Sequence, residues 1–189
     1  MQFNQHSELE GRHAQIGASS YHWLNYSPEK MRSTYLNEQR RLEGTRIHAF
    51  VSEAIKLGIK AANLKKAVNM FINDAIGFKM HSEVVLMYSY NSFGTSDAIS
   101  FRDNLLRIHD LKTGLGKPSF NQLNIYAALF CLEYHQDPSK IDIVERLYQG
   151  NGFTEYIPEP GEIAAVMDQL VLMDTTVGQV ADEYFNTDF

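Results

Sequence analysis

A chain of 189 residues has room for one domain with a substantial core, and a hydrophobic content of 44% with 12% aromatic residues is that of a folded chain. No apolar run approaches the roughly 20 residues of a membrane-spanning helix, and Met1-Gln2-Phe3-Asn4-Gln5-His6 has neither the charged nor the apolar region of a secretory signal, so no membrane partner and a cytoplasmic location are expected. The net charge of −6 is unevenly placed, at +4 over residues 1–66, −1 over 67–136 and −9 over 137–189.

The first 18 residues are polar and aperiodic and read as a mobile or loosely packed lead-in. Ser27-Pro28-Glu29 predicts a helix start, with Ser27 as N-cap and Pro28 in the first turn. Thr45 is expected to cap a second helix, in which Ile47, Phe50, Val51, Ala54 and Ile55 form one buried stripe with His48 beside it. Asn63 is expected to cap a third, with Leu64, Ala67, Val68, Phe71, Ile72 and Ala75 on one face and Gly77 at its end.

Strands are expected at about 83–90, 96–101 and 105–112, the last two joined by a hairpin at the polar Arg102-Asp103-Asn104. A helix over about 119–134 carries Cys131, the single cysteine, which reads as a small buried hydrophobe. A strand at about 141–148 and two amphipathic helices, over about 160–173 and 176–185, complete the pattern. With no repeat, low-complexity tract or linker, the chain reads as one α/β domain spanning 1–189, a mixed sheet flanked by helices.

The chemistry concentrates between Gly94 and Tyr126. Side chains alternate across a strand, so Asp110 and Lys112 project from one face, and the hairpin brings Asp97 alongside. Two convergent carboxylates beside a lysine suit a hard divalent cation acting on a phosphodiester. The bland alternatives are a turn residue at Asp97, a strand-edge charge at Asp110 and a solvated lysine before Thr113-Gly114.

Taken in order, His48, Glu83, Gly94-x-x-Asp97, Asp110-x-Lys112-Thr113-Gly114 and Gln122-x-x-x-Tyr126 resemble the motifs of the RecB-like branch of the PD-(D/E)XK nucleases. Upstream, Ala18–Tyr26 and Leu42–His48 resemble the N-terminal part of phage-encoded members, so the likeness spans about Ser19 to Ala128. The resemblance implies a PD-(D/E)XK core and a Mg²⁺- or Mn²⁺-dependent deoxyribonuclease. It implies metal ligands at His48, Asp97, Asp110 and the Leu111 carbonyl, and catalytic roles for Asp97, Asp110, Lys112 and Glu83. Lys112 would sit beside the attacking water and the pentavalent phosphate, either lowering the water's pKa or stabilising developing negative charge. Gln122 and Tyr126, four apart on a helix, share a face and are expected to support catalytic groups or bind substrate phosphates. A single cysteine departs from relatives that carry a cysteine-ligated cluster, so no iron–sulfur cluster is expected.

Two other patterns are set aside. His6, His13 and His22 lack the spacing of a zinc helix. Gly114-Leu115-Gly116-Lys117-Pro118 is no phosphate loop, because proline follows Gly-Lys where serine or threonine is needed. The expected partner is DNA, held with salt-sensitive affinity by the positive first third, unless both charged blocks are simply solvated faces. The acidic last third reads either as a contact for a recombination or replication protein or as solvated surface, and a homo-oligomer is compatible with the pattern. The expected activity is exonucleolytic, in phage or bacterial recombination, replication or repair, placing a phage-encoded chain in the host cytoplasm. The alternatives are a structure-specific endonuclease and a non-catalytic DNA-binding or assembly module on the same fold.

Overall fold

The computed structural model describes residues 2–114 and 116–187 and is an α/β fold with a five-stranded mixed sheet flanked by helices. The chain divides into two compact units, Met1–Thr45 and Arg46–Phe189. The first holds two short 3₁₀ segments, Ser7–Leu9 and Ala18–Asn25, and the start of helix α1 (Pro28–Lys56). Ser27 caps α1 as expected, its Oγ accepting from the Lys30 amide at 3.2 Å. Trp23 Nε1 donates to the Gly17 carbonyl at 2.9 Å.

The second unit contains the remainder of α1, α2 (Ala67–Gly77), β1 (His81–Ser89), β2 (Ser92–Arg102), β3 (Leu105–Lys112), α3 (Asn121–Glu133), β4 (Asp142–Gln149), β5 (Gly152–Tyr156) and α4 (Pro160–Thr187). The strands lie in the order β1-β2-β3-β4-β5, antiparallel except for β3 and β4. That parallel pair requires a crossover, and α3 supplies it. The hairpin at Asp103-Asn104 forms as expected, both residues taking positive φ, 51° and 64°, the turn that matches the twist of paired strands.

Two apolar clusters cover the two faces of the sheet. Leu86, Ile99, Leu106 and Ile108 pack against α3 and α4 through Leu123, Leu129 and Ile163. Ala98, Leu111 and Tyr148 pack against Val51 of α1 and Phe71 and Ile72 of α2. Cys131 is buried in the first cluster, as expected, and its thiol is pushed up to about 11 by burial. No helix among the described residues is long and apolar enough to cross a membrane.

Several expected boundaries are corrected. Thr45 starts no helix; α1 runs through it, and its hydroxyl is absorbed by a bond back to the Arg41 carbonyl at 3.2 Å. Phe50 lies off the buried stripe, exposed while Val51, Ala54 and Ile55 are buried. Asn63 caps no helix; its side chain accepts from the Lys65 amide at 2.9 Å in a local turn, α2 begins at Ala67, and Leu64 is exposed. The two C-terminal helices are one, because the hydroxyls of Thr175 and Thr176 bond back to the carbonyls of Val171 and Leu172, each at 2.8 Å. Strand β5 was not expected. Leu115 of the glycine-rich connection lies outside the described residues.

Candidate functional site

The pairing of β1 with β2 sets up the site. Ser82 pairs with Ala98 and Val84 with Ser96, so Glu83 and Asp97 stand opposite each other midway along the edge ladder. At this point the strands exchange faces. Leu86 packs in the α3 cluster and Gly94 meets Tyr126 of α3, whereas Ser82 bonds to Ser52 of α1 and Ala98 lies in the α1–α2 cluster. Strict alternation would keep all four on one side. The exchange coincides with Glu83 at φ 54°, a left-handed conformation that an L-glutamate rarely adopts in a strand.

Asp97 is clamped on both carboxylate oxygens. His48 Nδ1, from α1, lies 3.0 Å from Oδ1, and the backbone amide of Leu111 donates to Oδ2 at 2.8 Å. The ligand atoms of His48, Glu83 and Asp97 all fall within 4.8 Å of one another, the one such group of three among the described residues. His6, His13 and His22 belong to no such group there.

Asp110 stands beside this group of three, not in it. The pairing of Ala98 with His109 carries Asp110 across from Asp97, and its nearly buried carboxylate turns toward Lys112, with Nζ 2.9 Å from Oδ2. Asp110 and Lys112 thus share a face, as alternation along β3 requires. The buried Oδ2 meets the ammonium as an ion pair and has no other polar partner among the described residues. Lys112 donates to Gln122 Oε1 at 2.5 Å, and Gln122 Nε2 donates to the Tyr126 hydroxyl at 2.8 Å. The end of β3 and the first turns of α3 are joined by this relay. Leu111 enters the site through its amide.

Gly94 is glycine for a steric reason. A Cβ there would lie 2.9 Å from Cε1 of Tyr126, whose ring is buried in the core and has little freedom to withdraw.

The electrostatics show an excess of negative charge. Burial, then the charge of Asp97, raises the carboxyl of Glu83. The same two causes raise Asp110, with Lys112 offsetting them in part. The hydrogen bond to Asp97 raises His48 against the opposing effect of burial. Lys56, one helical end away, also bears on Glu83 and holds it down. Three carboxylates in half-dry surroundings, offset only in part by His48, Lys112 and Lys56, form a setting that a divalent cation would stabilise further. The donors are oxygens and one imidazole nitrogen, the set that suits Mg²⁺ or Mn²⁺. Opposite ligands of Mg²⁺ stand about 4.2 Å apart at bond lengths of roughly 2.1 Å, so side chains spread over as much as 4.8 Å would draw in slightly to hold it.

Comparison of the chain with family models, with curated proteins and with solved structures returns no match.

Proposed function

We propose that this chain is a divalent-metal-dependent deoxyribonuclease of the RecB-like PD-(D/E)XK type, acting as an exonuclease. The observation that carries the reading is the convergence of His48, Glu83 and Asp97 next to the Asp110–Lys112 pair. The element order is compatible with it: α1 and α2, then β1-β2-β3, α3 and β4, build a mixed sheet flanked by helices, the fold class expected from the sequence. The left-handed backbone at Glu83 supports it, since strain of this kind gathers at functional sites.

In this reading His48, Glu83 and Asp97 hold the cation, with Asp110 and the Leu111 carbonyl completing its surroundings. Bound there, Mg²⁺ or Mn²⁺ supplies Lewis acidity to a phosphodiester oxygen and makes water a better nucleophile at neutral pH. The rest falls to the protein. Asp97, fixed by the Leu111 amide, holds its second oxygen toward His48. His48 yields the Nδ1 position when it serves as a ligand. Lys112, held between Asp110 and Gln122, would present its ammonium to negative charge that develops on the phosphoryl oxygens. Tyr126 fixes Gln122, and so the position of Lys112.

Digestion of end-labelled linear, covalently closed circular and single-stranded DNA with Mg²⁺, Mn²⁺ or EDTA tests the reading. Linear DNA is degraded with metal, spared with chelator, and closed circles persist. Activity undiminished by exhaustive chelation overturns the metal assignment, cleavage of closed circles replaces exonuclease by endonuclease, and inertness toward every substrate leaves the non-catalytic module.

A further inference from the structure

The N-terminal unit holds a cavity of its own, about 560 Å³ between the start of α1 and the segment from His13 to Tyr26. That volume is in the range of small-ligand pockets. Trp23, Tyr26 and Met31 give it an apolar, largely aromatic wall. The indole N–H is spent on the Gly17 carbonyl, so what Trp23 offers a ligand is its π surface, pinned in place. Polar groups complete the lining: the side chains of Gln15 and Ser20 are bonded to nothing else among the described residues, and Asn37, whose Oδ1 accepts from Arg40 at 3.2 Å, keeps its Nδ2 free.

The lining selects among ligands. Its one carboxylate, Glu38, accepts two bonds from Arg41, at 2.7 and 2.9 Å, which leaves no unpaired acid to hold a cation. Unpaired amide and hydroxyl groups would be left unsatisfied by a wholly apolar guest. Aromatic surface beside free donors and acceptors complements a nucleobase, a flat ring with a polar edge. The surroundings suit its phosphates. Between residues 12 and 41 stand Arg12, Lys30, Arg32, Arg40 and Arg41 against Glu29 and Glu38, and the exposed Arg12 and Arg32 enter no ion pair among the described residues. A duplex keeps its bases stacked and their edges paired, so only an unpaired strand can place a base here.

We propose that this cavity binds a base of single-stranded DNA, stacked on Trp23 and Tyr26, with the flanking arginines attracting the backbone. The choice of DNA over RNA rests on the nuclease reading. Base binding itself does not, and measuring it in EDTA separates it from cleavage.

Trp23 is the single tryptophan, so its emission reports on the cavity directly. Titrating the full chain with single-stranded oligothymidylate in EDTA should quench that emission to saturation, and an abasic oligomer of the same length should not. By anisotropy of the labelled oligothymidylate, Trp23→Ala should bind at least about fivefold more weakly, the scale of losing one base–aromatic stack, whereas Trp23→Phe, which keeps a ring, should stay within about twofold of the parent. Absence of quenching, equal quenching by the abasic oligomer, or a Trp23→Phe protein as weak as Trp23→Ala overturns the proposal. Tighter binding of oligouridylate than of oligothymidylate overturns the assignment to DNA. A chain that is quenched but cuts no DNA keeps the base site and loses the nuclease reading; one that cuts without quenching does the reverse.

Discussion

Lys112 and Asp110 touch, yet they are expected to fail differently when altered. In the proposed chemistry Lys112 acts on charge that develops during reaction, so Lys112→Ala should leave metal and DNA binding largely intact and cut turnover by at least roughly 10²-fold. Asp110→Asn should also lose metal affinity, because it removes negative charge beside the three ligands, and added Mn²⁺ should restore part of its activity. Cleavage rates against Mn²⁺ concentration for both variants, with folding checked by thermal melt, distinguish the two. A Lys112→Ala protein that cleaves at the parental rate refutes the mechanism even if the fold reading stands. The pairing of these two side chains was legible in the sequence, because strand alternation alone puts residues two apart on one face. The backbone of Glu83 was not. Nothing in His81-Ser82-Glu83-Val84 signals a positive φ, which arises only where β1 and β2 change faces together.

At the scale of elements, legibility followed the strength of local signals. The Asp103-Asn104 hairpin was readable because two polar residues, both tolerant of left-handed backbone, separate apolar runs. Strand β5 was not, since Gly152–Tyr156 is five residues long, shows no buried residue and owes its existence to pairing with β4. Thr45 and Thr175-Thr176 misled because a threonine hydroxyl serves equally as a cap or as a mid-helix bond to the preceding turn, and only packing decides.

Strand β4 supplies a further test through Glu145, which is fully buried and lies 3.0–3.1 Å from the side-chain amide of Asn124. Burial, helped by the nearby charge of Glu162, pushes its carboxyl up to about 8. Below the ordinary glutamate range both folded and unfolded chains hold this proton, and the contribution to stability is fully present. As pH rises toward 8 the unfolded chain has released the proton and the folded chain keeps it, so stability falls. Glu145→Gln removes that loss. Its melting temperature should match the parent near pH 4 and exceed it at pH 8–9, by about 2–4 °C for each kcal/mol recovered. A gap that stays constant with pH would show that Glu145 does not carry the effect.

For the molecule as a whole, the proposed activity requires that charge asymmetry set how DNA is met. Lys56, Lys60, Lys65 and Lys66 are all exposed, and Lys56 already bears on the candidate site through Glu83. Replacing the four with glutamine should weaken DNA binding and flatten its dependence on salt, by about 0.9 in log–log slope for each duplex phosphate that is no longer neutralised. An unchanged slope would place those lysines away from the nucleic acid. The fold as a whole also bears the conformation of Glu83. Glycine occupies φ 54° freely, whereas an L-residue held there costs about 1–2 kcal/mol. Directed evolution for heat resistance alone should therefore drift toward glycine at position 83, and its most thermostable winners would be chains that had discarded a proposed metal ligand.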